Sequence, residues 1–106
     1  MATAYTEANT TIHYQDTGTS YESSLPGLKA VGFELTDLAD DADTLAITLT
    51  NVGLTTVWDV WQFTHSTTDD VIIREEGATI VTAGVLTITV GGATDNKKRF
   101  YVVWGV

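Results

Sequence analysis

The segment TLAITLT, from Thr44 to Thr50, alternates strictly between large aliphatic side chains and small or polar ones. The leucine and isoleucine side chains at positions 45, 47 and 49 share one face of an extended chain, and Ala46 lies with the threonines on the other. This period of two is typical of a β-strand that buries one face in a core. The segment NVGL follows, and its glycine favours a turn before the next apolar stretch.

The same kind of pattern recurs on both sides of this segment. Ala83-Gly84 is a two-residue turn between the apolar stretches Thr79–Thr82 and Val85–Val90, and it would pair Val81 with Leu86 in a hairpin. About eight short strands at roughly even spacing predict an all-β domain, either a single β-sandwich or a small jelly-roll or barrel-like domain of antiparallel strands. The other predicted strands are Thr10–Tyr14, Lys29–Leu35, Thr55–His65, Val71–Ile73, Thr79–Thr82, Val85–Val90 and Arg99–Val106.

Length and patterning predict how the chain is divided. Its 106 residues fit one compact domain. Residues 1–25 are rich in Thr and Ser and weakly patterned, so we expect an N-terminal arm or an edge strand there. Residues 26–106 are predicted to form the β-sandwich domain.

Charge and composition exclude several classes of partner. Fourteen acidic residues face five basic ones, which gives a net charge of −9, and the only basic cluster, Lys97–Arg99, is predicted to lie in a hairpin loop. Because nucleic acid requires a positive surface, we expect no nucleic-acid partner. The first residues lack the pattern of a secretory signal, and no apolar run is long enough for a membrane-spanning helix, so we expect no membrane partner.

The segment TTVWDVWQFTH carries bulky side chains on both faces of its predicted strand. Trp61 and Phe63 share one face, whereas Trp58 and Val60 share the other. Three interpretations remain open for these aromatic residues: a core, a contact between proteins, or a sugar-stacking platform. The first interpretation places Trp61 and Phe63 in the core and leaves Trp58 partly covered on the outside.

The final predicted strand has the same two-sided character. Phe100, Val102 and Trp104 fit a core face, and the alternate residues then lie on the opposite face. Large apolar patches are rarely left exposed to water, so two such strands predict that a partner subunit covers the surplus. The predicted protein interface consists of Trp58, Val60, Tyr101 and Val103.

No catalytic constellation emerges from the remaining polar residues. Cysteine is absent, His13 and His65 are the only histidines, and no serine lies in a nucleophile-elbow context, so we predict that the chain is not an enzyme and holds no cofactor. An acidic loop could offer Ca²⁺ oxygen ligands, although its spacing differs from the EF-hand pattern and favours a solvated loop whose side chains satisfy turn backbone groups. The acidic residues of this loop are Asp37, Asp40, Asp41 and Asp43.

A carbohydrate-binding module is the alternative function that the sequence offers. Exposed tryptophans form platforms on which sugar rings stack, and amide or carboxylate groups beside them bind the hydroxyls. Trp58 and Trp61 would supply the rings, and Asp59 and Gln62 would supply the polar groups.

A set of short sequence patterns lies within Asp41–Val106, in the segments DADTLAITLTNVGLTTVWDVWQF and TAGVLTITVGGATDNKKRFYVVWGV. A "T-x-x-I-T-L" strand, a turn, an aromatic strand, a "T-I-T" strand and a closing strand that stops at a glycine plus one residue follow one another. In this the chain resembles small β-sandwich structural proteins of tailed bacteriophages and related viruses. The resemblance implies a non-enzymatic role in the virion as a capsid-decoration, head-fibre or tail-associated protein. It further implies a homo-oligomer, often a trimer, that docks on other virion proteins such as a major capsid protein.

Overall fold

The computed structural model describes residues 2–15, 29–65, 72–92 and 94–106, which fold into two β-sheets packed together. The all-β class and the sandwich architecture predicted from the sequence are therefore confirmed. Two short 3-10 turns, Glu7–Asn9 and Leu49–Val52, interrupt the strands. The strands within the described residues are β1 (Ala4–Thr6), β2 (Thr10–Gln15), β3 (Lys29–Leu35), β4 (Thr44–Thr48), β5 (Val57–His65), β6 (Ile72–Glu75), β7 (Thr79–Thr82), β8 (Val85–Thr89) and β9 (Lys98–Gly105).

The strands divide into a four-stranded sheet, ordered β1-β4-β8-β7, and a five-stranded sheet, ordered β2-β3-β9-β5-β6. Strands β1 and β4 pair in parallel, and the other pairings are antiparallel. The last strand, β9, lies at the centre of the five-stranded sheet between β3 and β5. Both hydrogen-bonding edges of β9 are therefore paired with neighbouring strands.

The first described residues contribute an edge strand to each sheet. Strand β1 is the edge of the four-stranded sheet and β2 is the edge of the five-stranded sheet. The Glu7 carboxylate in the turn between them accepts hydrogen bonds from the Thr48 backbone N–H and from Asn51 Nδ2. Burial raises the pKa of Glu7, but these hydrogen bonds outweigh it and hold the pKa below its usual value. Residues 16–25 of the predicted arm lie outside the described residues.

Two predicted strands have the expected bounds. Strands β3 and β7 begin and end where the sequence predicts, and the hairpin pairs Val81 with Leu86 as expected. Its turn places Ala83 and Gly84 at φ of 51° and 77°, the left-handed geometry of a two-residue hairpin turn. Strand β4 ends early, at Thr48, because the chain turns there into the 3-10 segment.

The core lies between the two sheets and contains the face of β9 that was predicted to be outside. Tyr101 is 0% exposed and Val103 is 2% exposed, and the Tyr101 ring stacks on Phe33 with a centroid distance of 5.7 Å. The predicted core face of β9 is therefore wrong. The even-numbered residues from Phe100 to Trp104 point away from the core and are only half-buried.

Strand β5 shows the same reversal, since Gln62 and Thr64 point into the core while Trp61 and Phe63 point outward. A β-bulge between Val57 and Asp59 shifts the alternation at the start of the strand. Polar residues occupy the inner positions because hydrogen bonds satisfy them there. The Gln62 side chain joins both backbone groups of Gly91, its Nε2 donating to the carbonyl at 3.0 Å and its Oε1 accepting from the N–H.

Arg99 is the centre of this buried polar cluster. Its side chain is fully buried. The basic cluster was predicted to lie in a hairpin loop, but β9 already begins at Lys98, so Arg99 is part of the strand. Its Nη1 donates to Thr64 Oγ1 at 2.7 Å and lies 3.3 Å from the Glu75 carboxylate. Its Nη2 donates to the Thr94 carbonyl at 2.6 Å and to the Ala39 carbonyl at 3.3 Å. One guanidinium therefore joins three strands and two loops.

The cluster extends along the inner face to Tyr101. Its hydroxyl donates to Gln62 Oε1 at 3.1 Å, and Gln62 Nε2 in turn lies 3.4 Å from Thr64 Oγ1. Burial raises the pKa of the Tyr101 phenol, so the hydroxyl keeps its proton and remains a donor. Side chains of the two central strands thus form one connected chain of hydrogen bonds.

We predict that Arg99→Ala is among the most destabilising single changes in this chain. The change leaves the Glu75 carboxylate and several loop carbonyls without their donor, and removal of one partner from a buried ion pair costs roughly 3–5 kcal/mol. Urea unfolding followed by tryptophan fluorescence measures the loss. Arg74→Ala, at an exposed position of β6, is the control and should cost much less. Equal losses in the two variants would contradict the central role of Arg99.

Candidate functional site

The outer side of the five-stranded sheet carries an aromatic surface, which we call the aromatic face. Strands β5 and β9 run side by side there, with Trp61 opposite Val102 and Phe63 opposite Phe100. All of these side chains are half-buried rather than enclosed, although large aromatic side chains usually find cover in a core or an interface. The aromatic face consists of Trp61, Phe63, Phe100, Val102 and Trp104.

At one end of the aromatic face the two indoles contact each other. The ring centroids of Trp61 and Trp104 lie 5.3 Å apart and their planes are tilted by 59°. The Arg74 guanidinium lies over the Trp61 ring, 4.8 Å from its centroid. Trp61 Nε1 donates to Asp59 Oδ2 at 2.8 Å. The Trp61 indole is therefore held in a fixed orientation by groups of its own subunit.

At the other end the aromatic face contains a shallow recess of about 360 Å³. Phe63, Phe100 and Ile72 make its apolar surface, and Ile72 is 67% exposed. Charged and polar side chains stand at its rim. The rim residues are Glu34, His65 and Lys98.

An ion-pair cluster borders this recess and is centred on the Glu34 carboxylate. His13 Nε2 lies 2.7 Å from Glu34 Oε1, and Lys98 Nζ lies 3.2 Å from Glu34 Oε2. The hydrogen bond from His13, together with Lys98, holds the pKa of Glu34 below its usual value of 4.5 despite partial burial. The His13 ring also packs near Phe100, with centroids 5.9 Å apart. Charged groups thus fix the edge of an apolar surface.

The predicted interface residues do not form one surface. Tyr101 and Val103 are enclosed in the core of their own subunit, so their assignment to an interface is wrong. Val60 is partly buried and packs against the same core. Trp58 is 71% exposed and lies at the bulge between Val57 and Asp59. The error arose because the faces of β5 and β9 were assigned by hydrophobicity, whereas the inner face is partly polar.

The residues suggested for a sugar platform are separated by the sheet. Gln62 is 2% exposed and bonded within the core, so it cannot reach a ligand on the surface. The Trp61 indole instead contacts Trp104, at a tilt of 59° that leaves these two rings far from coplanar, and Arg74 already occupies a face of Trp61. Asp59 is also engaged, since its carboxylate binds the Trp61 indole and the Val60 backbone N–H. This arrangement does not favour saccharide stacking.

Carboxylates of the acidic loop bind backbone groups. Asp43 is 2% exposed and accepts hydrogen bonds from the N–H groups of Thr3 and Asp40, at 2.7 and 2.8 Å. Asp40 in turn accepts from the Asn96 N–H at 2.7 Å. Within the described residues, no group of three or more carboxylates and histidines is placed to hold a metal ion. These two aspartates act as structural acceptors that join the loop to its neighbours.

Comparisons with protein-family models, curated proteins and solved structures found no match to this chain. In the part of the chain that the structure describes, no helix is long and apolar enough to cross a membrane.

We predict that the stability contributed by Glu34 disappears in acid. Its folded-state pKa lies below 4.5, so the contribution is complete above that pH and is lost as the pH falls further. The melting temperature of Glu34→Gln should therefore lie below that of the wild type at neutral pH, and the two should converge as the pH falls through the lowered folded-state pKa of Glu34. Thermal melts across this range measure the difference. Glu76→Gln is the control, and a wild-type advantage over Glu34→Gln that persists undiminished in acid would contradict the ion-pair account.

Proposed function

We propose that this chain is a non-enzymatic structural protein of a virus particle. In this proposal it self-associates and docks on other virion proteins through the aromatic face. The observation that carries the proposal is the concentration of half-buried aromatic rings on the outer side of a sheet. Contiguous apolar surface of this kind marks a contact site when it occurs on a folded domain.

The geometry of the aromatic face supports a protein partner. Ring tilt and the cation over Trp61 make the surface uneven, which suits interdigitating side chains better than a planar sugar ring. The recess beside Phe63 and Phe100 has room for an apolar side chain of the partner. Glu34 and Lys98 at its rim are placed to exchange hydrogen bonds with polar groups around that side chain, as in the polar rim of known interfaces.

The use of the polar residues supports a non-catalytic role. Glu75 pairs with Arg99 and binds the Thr64 hydroxyl, and Asp43 binds backbone N–H groups. His13 is engaged with Glu34 at an exposed edge. These particular carboxylates and this imidazole thus hold loops and strands together.

The assignment to a virion rests on the resemblance of Asp41–Val106 to small bacteriophage structural proteins. The fold agrees with it, because a two-sheet sandwich is a stable unit that can expose one sheet face to a partner. A decoration protein requires such a face and an otherwise soluble surface. The net charge of −9 favours solubility.

We predict that Phe63→Thr combined with Phe100→Thr lowers the mass of the assembly in solution. Threonine keeps the preference for strand structure while it removes both rings of the recess. Size-exclusion chromatography with light scattering measures the mass, and far-UV circular dichroism verifies the fold. The control is Leu38→Thr, which removes an exposed apolar side chain outside the aromatic face and should leave the mass unchanged.

A second measurement tests the location. Antibodies against the chain should label purified particles of the virus whose genome encodes it. After the chain has been stripped from such particles, the wild-type chain should bind them again, and the folded Phe63→Thr/Phe100→Thr variant should fail to bind. A wild-type chain that stays monomeric and is absent from purified particles would refute the proposal.

A further inference from the structure

Strand β7 has one hydrogen-bonding edge that no strand of the described residues pairs. It lies at the end of the four-stranded sheet, bonded to β8 on one side only, and all four of its residues are exposed. The strand reads TIVT, without the charged residues or proline that commonly protect such edges. An unprotected edge of this kind is a template for another extended strand.

The register of the hairpin determines which backbone groups face outward. Across the two-residue turn Thr82 pairs with Val85, and the Thr89 N–H bonds the Ala78 carbonyl at 2.7 Å. The even-numbered residues of β7 therefore direct their N–H and C=O groups toward β8. The N–H and C=O groups of Thr79 and Val81 then point to the free edge.

These groups are self-complementary about a two-fold axis. When β7 of a second copy approaches antiparallel, with the axis at Ile80, Thr79 lies opposite Val81 of that copy and the reverse also holds. Each of these pairs exchanges both of its N–H···O bonds. The two Ile80 side chains then meet as a non-hydrogen-bonded pair, on the outer side of the sheet. No like charges oppose each other in this register, because the strand has none.

Side chains beside the edge also lack cover. Ile80 is 62% exposed, and Val81 is 46% exposed although it points toward the interior side of its sheet. A groove of about 380 Å³ separates β7 from the beginning of β5, and the exposed Trp58 borders it. A second copy at the β7 edge would bring apolar surface to this side of the sandwich.

The neighbouring edge of the five-stranded sheet is blocked by contrast. Strand β6 pairs only with Gln62–His65, so the beginning of β5 has a free edge as well. There the Val60 N–H already bonds the Asp59 carboxylate at 2.9 Å, and the bulge at Trp58 distorts the strand. Of these two adjoining edges, only β7 keeps a regular row of backbone groups that no described residue pairs.

We propose that two copies of this chain join through antiparallel pairing of β7 with β7, so that their four-stranded sheets form one continuous sheet. The contact uses a different surface from the aromatic face and does not rest on the proposed function. Because each copy carries a charge of −9, long-range repulsion opposes the pairing. Association should therefore tighten as salt is added, whereas a contact driven by charge attraction would weaken.

Disulfide trapping tests the register directly. The chain contains no cysteine, so Ile80→Cys introduces a single thiol. In a non-hydrogen-bonded pair the two Cα atoms lie about 4.5 Å apart, a separation that a disulfide can span. Mild oxidation of Ile80→Cys should give a covalent dimer on a non-reducing denaturing gel. Thr82→Cys is the matched control on the same exposed strand face, and it should remain monomeric because its two copies lie on opposite sides of the axis.

Charge variants provide an independent measurement. Ile80→Lys and Ile80→Glu should each lose the pairing, since like charges meet across the axis, and an equal mixture of the two should regain it as a heterodimer detectable by native mass spectrometry. The same set is also made in the Phe63→Thr/Phe100→Thr background. Because that background removes any association through the aromatic face, it reports the β7 contact alone. Equal cross-linking of the two cysteine variants, or a mixture of folded charge variants that stays monomeric, would overturn the β7 pairing.

Discussion

The buried guanidinium of Arg99 is the constraint from which the arrangement of the central strands follows. A charged group in a core persists only when it is paired and hydrogen-bonded, and here Glu75, Thr64 and three loop carbonyls accept from its two Nη atoms. Because successive residues of a strand face opposite ways, an inward Arg99 places Tyr101 and Val103 inward as well. Phe100, Val102 and Trp104 must then face outward. The aromatic face is therefore the geometric counterpart of the buried arginine.

Burial of polar groups on one side thus leaves apolar surface on the other. The inner face of β5 uses Gln62 and Thr64 to complete the cluster, and the rings of Trp61 and Phe63 are left outside. A core of this composition is specific, since each buried donor and acceptor requires its partner in place. A second molecule that covers the outer rings would recover hydrophobic stabilisation that the single subunit lacks.

The sequence predicted where strands lie better than which way they face. Alternation located β3, and the two-residue turn at Ala83-Gly84 located β7 and the pairing of Val81 with Leu86. In β5 and β9 both faces carry large side chains, and the decisive residue is a buried arginine that hydrophobicity assigns to the surface. Strand β1 has only three residues and pairs in parallel with Thr44–Ala46, some forty positions later, so no local pattern signals it. The sequence identified the aromatic residues of the candidate site. Which face of the sheet they occupy depends on the bulge at Trp58 and on the buried polar cluster.

The central position of β9 also determines how the molecule responds to force. A pull on the residues after Gly105 must shear the ladder with β3 and the ladder with β5 at the same time, since β9 is bonded along its length to both. A pull on the residues before Ala4 acts on the three-residue ladder between β1 and β4 and on the hydrogen bonds of Thr3 beside it. The two ends of the sandwich therefore differ mechanically. An attachment through the C-terminal strand would transmit tension into the middle of a sheet, whereas an attachment through the first strand would yield early.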